Sequence, residues 1–206
     1  MPSRHRCFLL VPTDEIAVSL RRYAFMRDGA PKCGRREPRY PDGDLVTYDS
    51  HDVELEIDRE VGTLEASLDG DRTGKAIAHD DYRWPDRCAC GYAFKPDDSW
   101  QENRTRLYRR SDTGELVPLR DAPVGALYDS GTFNDVDGYQ RNGKGMSLVC
   151  KTPAGEWMID GPASNGRGWT RTGTPPDINV TPSIGIGDPQ RMHGWLRNGW
   201  LEIDMP

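Results

Sequence analysis

The chain has no long apolar run, no surplus of positive charge and no even set of cysteines, and each lack removes a class of protein. No window approaches the roughly 18 consecutive apolar residues that a membrane span requires. The first apolar stretch, residues 7–11, is shorter than the apolar region of a secretory signal. The chain is therefore expected to be made and used in the cytoplasm, with no membrane partner. A formal charge of −6 argues against broad nucleic-acid binding, which needs a basic surface. Arg104, Arg106, Arg109 and Arg110 form a local basic cluster, but acidic residues lie nearby and the group reads as a solvated strand face. Five cysteines cannot all pair, and Cys88 and Cys90 are too close for an ordinary bridge to each other. Metal ligation plus one or two buried free thiols fits better than a disulfide framework.

What remains is polar and rich in turns. Apolar residues make up 35% of the chain, beside 22 Gly and 16 Pro, so the core is modest and a metal staple would matter to it. Residues 7–11 read as a buried strand ended by Pro12. Thr13 then reads as an N-cap, with Asp14 and Glu15 at the positive end of a helix dipole and Ile16, Leu20 and Tyr23 at helical spacing. Residues 28–44 carry Gly, Pro and Cys33 and read as an irregular loop. Val53, Leu55 and Ile57 alternate with Glu54, Glu56 and Asp58, as in a half-buried strand. Asp97 to Trp100 suggest a short helical turn, and Ser111-Asp112-Thr113-Gly114 a hairpin turn. Further strands are expected at 105–108, 146–151, 157–159, 178–180 and 200–203, with Asn198-Gly199 turning a terminal hairpin. The fold class is α+β, strand-dominated, with one N-terminal helix and a structural zinc site. One domain over 1–206 is expected, with a weaker alternative split into 1–103 and 104–206.

The chemistry of the thiols is the sharpest signal. Cys88-Ala89-Cys90-Gly91-Tyr92 can present two sulfurs to one ion, with Gly91 free to take the positive φ of a tight turn. Cys33, followed by Gly34, is a second glycine-backed thiol. His51, just ahead of the alternating strand, completes a tetrahedral zinc set with Cys33, Cys88 and Cys90, with His79 as the alternative histidine. Four protein ligands would close the site and leave no position for a catalytic water.

Two other groups merit weighing. Asp160, Ser164 and His193 hold the residue types of a nucleophilic triad, with Asn165 beside them, yet only geometry defines a triad. Ser164 lacks the Gly-x-Ser-x-Gly context of a nucleophile elbow, and residues 161–166 read more simply as a turn. Tryptophans gather in the last third among arginines, and Trp169, Arg171, Trp195 and Arg197 mark a candidate interaction surface.

Several short signatures occur in order: Trp84-Pro85, Cys88-Ala89-Cys90-Gly91-Tyr92-Ala93-Phe94, Leu107-Tyr108-Arg109-Arg110, Trp157-Met158-Ile159-Asp160, Pro182-Ser183-Ile184 and His193-Gly194-Trp195-Leu196-Arg197-Asn198-Gly199. Together they resemble an uncharacterised family of tailed-bacteriophage proteins. The last two are also similar to a metal-binding family of unknown function. The resemblance implies a metal site at Cys33, His51, Cys88 and Cys90 and names no reaction. It makes the expected protein a zinc-stabilised, non-enzymatic phage component that binds other proteins, such as virion proteins of a head, neck or tail. Such a component would be located in the host cytoplasm during assembly and then in the virion. The alternatives are a small-pocket enzyme using His193 with Asp160 and Ser164 or Asn165, and a phage regulator of a host protein.

Overall fold

A side chain that alternates between two faces needs a partner strand for its backbone, and the residues from Phe8 to Met26 have one. The structure, a computed structural model, describes residues 3–26, 37–39, 46–64, 76–130, 147–161, 168–186 and 192–204. Its strands are β1 Ser3–Arg6, β2 Phe8–Met26, β3 Glu37–Arg39, β4 Val46–Val61, β5 Ser99–Arg110, β6 Leu116–Pro118, β7 Ala126–Asp129, β8 Leu148–Thr152, β9 Gly155–Met158, β10 Thr170–Thr174, β11 Asp177–Ile186, β12 Met192–Arg197 and β13 Trp200–Asp204. The helix expected after Thr13 is not found. Among the described residues the sole helical element is a 3₁₀ turn, Leu119–Asp121. No helix among them is long and apolar enough to cross a membrane.

The helix expectation failed because two periods share residues. Ile16 and Leu20 fit a helical face, but Ile16, Val18, Leu20, Arg22 and Ala24 also fit a period of two, and all five are buried. Tyr23, the third member of the helical set, lies on the other face of the strand. The β-branched Ile16 and Val18 favour the extended form, and β4 supplies the partner, pairing from Glu15↔Val61 to Met26↔Asp49. Pro12 does not end the strand either. It lies, exposed, between the stretch of β2 that pairs with β7 and the stretch that pairs with β4. The expected loop 28–44 contains a short strand, β3, paired with the start of β4. The helical turn expected at 97–100 is a bend followed by β5.

The chain forms two units, 1–13 with 108–206 and 14–107. In the first, β1-β13-β12-β11-β10 make a five-stranded antiparallel sheet. A second layer starts where Phe8 and Leu9 pair in parallel with β7, which continues antiparallel into β8 and β9. Between the layers lies the core, with Leu127, Cys150, Trp157, Ile178, Leu196 and Ile203 among its buried side chains. Asn198 and Gly199 turn the final hairpin at φ 49° and 70°, as their sequence predicts. In the second unit β2, β4 and β3 are antiparallel neighbours, and a smaller core of Ala24, Cys88 and Phe94 lies against Val53 and Tyr92.

Candidate metal centre

Two thiols one residue apart reach the same point only if the backbone reverses between them. It does so here. Arg87 and Ala93 form an antiparallel bridge, Cys88 N–H donates to Tyr92 O at 3.0 Å, and Gly91 N–H donates to Cys88 O at 2.9 Å. Gly91 takes φ 90°, the conformation its place in the motif predicts.

The histidine comes from a strand. His51 lies opposite Ala24 in the β2–β4 register and is 2% exposed. Its Nδ1 is 3.3 Å from Cys88 Sγ and 3.3 Å from Cys90 Sγ, and the sulfurs are 2.8 Å apart. Cys88 is buried and Cys90 exposed. The Tyr92 ring stacks on the imidazole, centroids 4.0 Å apart and planes 4° from parallel, which fixes the direction in which Nδ1 points. The Tyr92 hydroxyl donates to Asp98 Oδ2 at 3.3 Å, and that oxygen also accepts Lys95 N–H at 2.6 Å. Partial burial, and then the Asp98 carboxylate, push the tyrosine hydroxyl up, so it stays a neutral donor.

Arg22 ties this loop to β2. It is buried on the same strand face as Ala24, and its guanidinium donates to Pro85 O at 3.2 Å and Lys95 O at 2.6 Å. Those carbonyls lie on either side of the Cys88–Cys90 turn. The cation also sits 3.8 Å from the Trp100 ring centroid, while Arg22 Nε has no hydrogen-bond partner among the described residues. The residue was not singled out as part of the site from sequence. Its signal was an arginine in the apolar register of Ile16, Val18 and Leu20.

Two thiols and an imidazole with all donor atoms within 4.8 Å of one another can hold a metal ion. Zn–S bonds of about 2.3 Å and Zn–N bonds of about 2.0 Å at a tetrahedral angle place sulfur from sulfur at about 3.8 Å and nitrogen from sulfur at about 3.5 Å. The nitrogen–sulfur spacings are close to that. The sulfurs would part by about 1 Å, a movement that rotation of the exposed Cys90 side chain supplies. The residues therefore fit the group. His51 is the histidine brought to the sulfurs. The alternative, His79, instead stacks on Trp100 at 5.5 Å and meets the edge of Trp84. Cys33 lies outside the described residues. The expected buried free thiols are Cys7 and Cys150 in the core of the first unit. They share a hydrogen bond that lowers the Cys7 thiol and, with burial, raises that of Cys150.

The remaining site residues separate. Asp160 is committed to structure: Arg171 donates to its two carboxylate oxygens at 3.0 and 2.9 Å, and Leu148 N–H donates to one of them at 2.9 Å. The two side chains are 2% and 4% exposed, so Arg171 offers nothing to a partner, contrary to its place in the expected surface. Trp169 packs against the core, edge-on to Trp157. His193 has a different companion from those expected, since its Nε2 lies 2.8 Å from Ser183 Oγ. Ser164 and Asn165 lie outside the described residues. Trp195 and Arg197 do occupy the outer face of the five-stranded sheet, where the Arg197 guanidinium lies 5.6 Å from the Trp195 ring centroid. Against known proteins, no family model, curated sequence or solved structure matches the chain.

Proposed function

We propose that the protein is a zinc-stapled binding protein of a tailed-bacteriophage particle, in which the metal is structural and the partners are other virion proteins. The observation that carries the metal part of this reading is the convergence of His51 Nδ1 on the Cys88 and Cys90 sulfurs, while the phage part rests on the resemblance of the motifs. A donor set of two thiolates and an imidazole is soft, which favours zinc over magnesium or calcium, and Cys33 is the fourth ligand that closes the site. The ion would join a local turn to the β2–β4 pair and hold the loop in one shape, which lowers the ordering cost of binding. The outer face of the five-stranded sheet supports the binding side of the reading. There Arg4 lies 4.4 Å from the Trp200 ring centroid and Arg197 covers Trp195, the aromatic and arginine mixture that recurs at protein interfaces.

Elemental analysis of the full-length protein should find one zinc per chain. Cys88→Ser and Cys33→Ser should lose it and lower the melting temperature, while His79→Ala keeps it. Cross-linking mass spectrometry of purified particles should then tie the outer face to another virion protein. A metal-free protein whose melting temperature ignores a strong chelator overturns the staple, and absence from purified particles overturns the virion role.

A further inference from the structure

The outer face of the five-stranded sheet holds a serine–histidine pair that neither the metal site nor the binding reading uses. Ser183 is on β11 and His193 on β12, with Oγ and Nε2 2.8 Å apart, inside the range for a nucleophile and its base. The β11–β12 register shifts between Val180 and Ile184; past the shift Gly185 is the direct partner of His193, and Ser183 is its diagonal neighbour on the same face. Trp169 Nε1 donates to Ser183 O at 3.5 Å, holding the serine backbone from the core side. The His193 ring packs edge-on to Trp195, centroids 4.3 Å apart. On the next strand, Asp204 is the direct cross-strand partner of His193. Directly opposed residues share a face with Cβ atoms about 5 Å apart, so Asp204 and His193 stand on the same face of the sheet. Ser183 opens into a cleft of about 410 Å³ whose other lining residues include Trp195, Arg197, Asn179 and Asn198.

We propose that this cleft is an acyl-transfer site for carboxylic esters, with Ser183 as nucleophile and His193 as general base. This goes beyond the zinc-stapled binding reading: every residue involved belongs to the first unit and none to the metal site, while Trp195 and Arg197 are shared with the proposed binding face. In the tautomer protonated at Nδ1, His193 Nε2 accepts the Ser183 hydroxyl proton as Oγ attacks the ester carbonyl carbon. The new C–O bond forms and the carbonyl oxygen becomes an oxyanion, with the Arg197 cation in the same cleft. Collapse breaks the bond to the alcohol, which leaves with the proton from Nε2. Water then attacks the acyl-serine, passes its proton through His193 to Ser183 Oγ, and releases the carboxylic acid. Asp204 is a positioning residue that favours the transient imidazolium. Trp195 gives the cleft an apolar wall for the acyl group.

The test is labelling of the full-length protein with a fluorophosphonate probe, read by intact-mass and peptide mass spectrometry, beside hydrolysis of 4-nitrophenyl acetate. One adduct on Ser183 is expected, absent in Ser183→Ala and slowed roughly a hundredfold or more in His193→Ala. Asp204→Asn should slow labelling and Asp204→Glu should restore much of it. Because His193→Ala also removes the ring contact with Trp195, the wild-type protein alone also decides: no adduct on folded protein after prolonged exposure overturns the proposal. So does an adduct that persists at equal rate in Ser183→Ala. Zinc content and particle cross-links should be unchanged in Ser183→Ala, so failure here is separable from failure of the metal and binding reading.

Discussion

Replacing Asp160 with Asn should unfold the first unit far more readily than a surface substitution would. The carboxylate accepts Arg171 Nε at 3.0 Å through one oxygen, and Arg171 Nη2 and Leu148 N–H, both at 2.9 Å, through the other. An asparagine offers one oxygen and one NH₂ in that space. Whichever way the amide turns, its NH₂ faces a donor, and a buried guanidinium faces a neutral group. Removing one partner of a buried pair costs about 3–5 kcal/mol. For a chain of this size each kcal/mol is worth about 2–4 °C, so the melting temperature should fall by roughly 6–20 °C. Hydrogen exchange gives a local reading in Asp160→Ala, where the Leu148 amide loses its acceptor and should exchange much faster. Replacing both side chains with apolar residues, Asp160→Leu with Arg171→Met, should recover most of the loss, because no charge is then stranded. A single variant that melts within about 2 °C of the wild type, with Leu148 exchange unchanged, would refute the structural role of Asp160.

Three further outcomes follow from the metal centre and its flank. Arg22→Met should keep the fold but weaken zinc binding by about 10–100-fold, the usual effect of an outer-shell contact, as read by competition with a chromogenic chelator. Gly91→Ala meets no atom of the described residues within 4 Å, so its expected cost is the backbone strain of φ 90°, about 1–2 kcal/mol; zinc affinity should fall about tenfold in the same assay. Asp81 is held down to about 2 by its hydrogen bonds from Arg83, first the side chain and then the backbone N–H. Its contribution to stability is therefore present above its ordinary value of 3.8 and is lost as pH falls through about 2. An NMR titration of the Asp81 carboxyl should show that low midpoint in the wild type and a return towards the ordinary range in Arg83→Ala.

Local chemistry was legible where a few adjacent residues decide the structure. Asn198-Gly199 announced the terminal hairpin, Gly91 the reversal at the thiols, and the residues around Val53 the strand β4, although Leu55, expected on its buried face, is exposed. The choice between His51 and His79 was not settled by spacing, because it depends on which strand pairs with β2. The N-terminal segment was misread for a related reason. Ile16 and Leu20 satisfy two periods at once, and the pairing with β4 that decides between them is non-local. Arg171 was read as a surface residue because its partner, Asp160, lies across a turn that sequence does not measure. Ser183 escaped notice as a companion of His193 because the two lie in separate motifs, and only the pairing of β11 with β12 makes them diagonal neighbours.

The thiols of Cys88 and Cys90 are separated by a single residue, whereas the imidazole that joins them is 37 positions away. On the proposed zinc reading, a denatured chain would keep a bidentate grip on the ion after losing the nitrogen. Any hold on the metal by the disordered ensemble subtracts from what the ion contributes to the native state. Chelation should then lower thermal resistance by less than the native dissociation constant alone implies. The increments that would couple to folding are those of ligands remote in sequence, among them the one His51 adds when its strand docks.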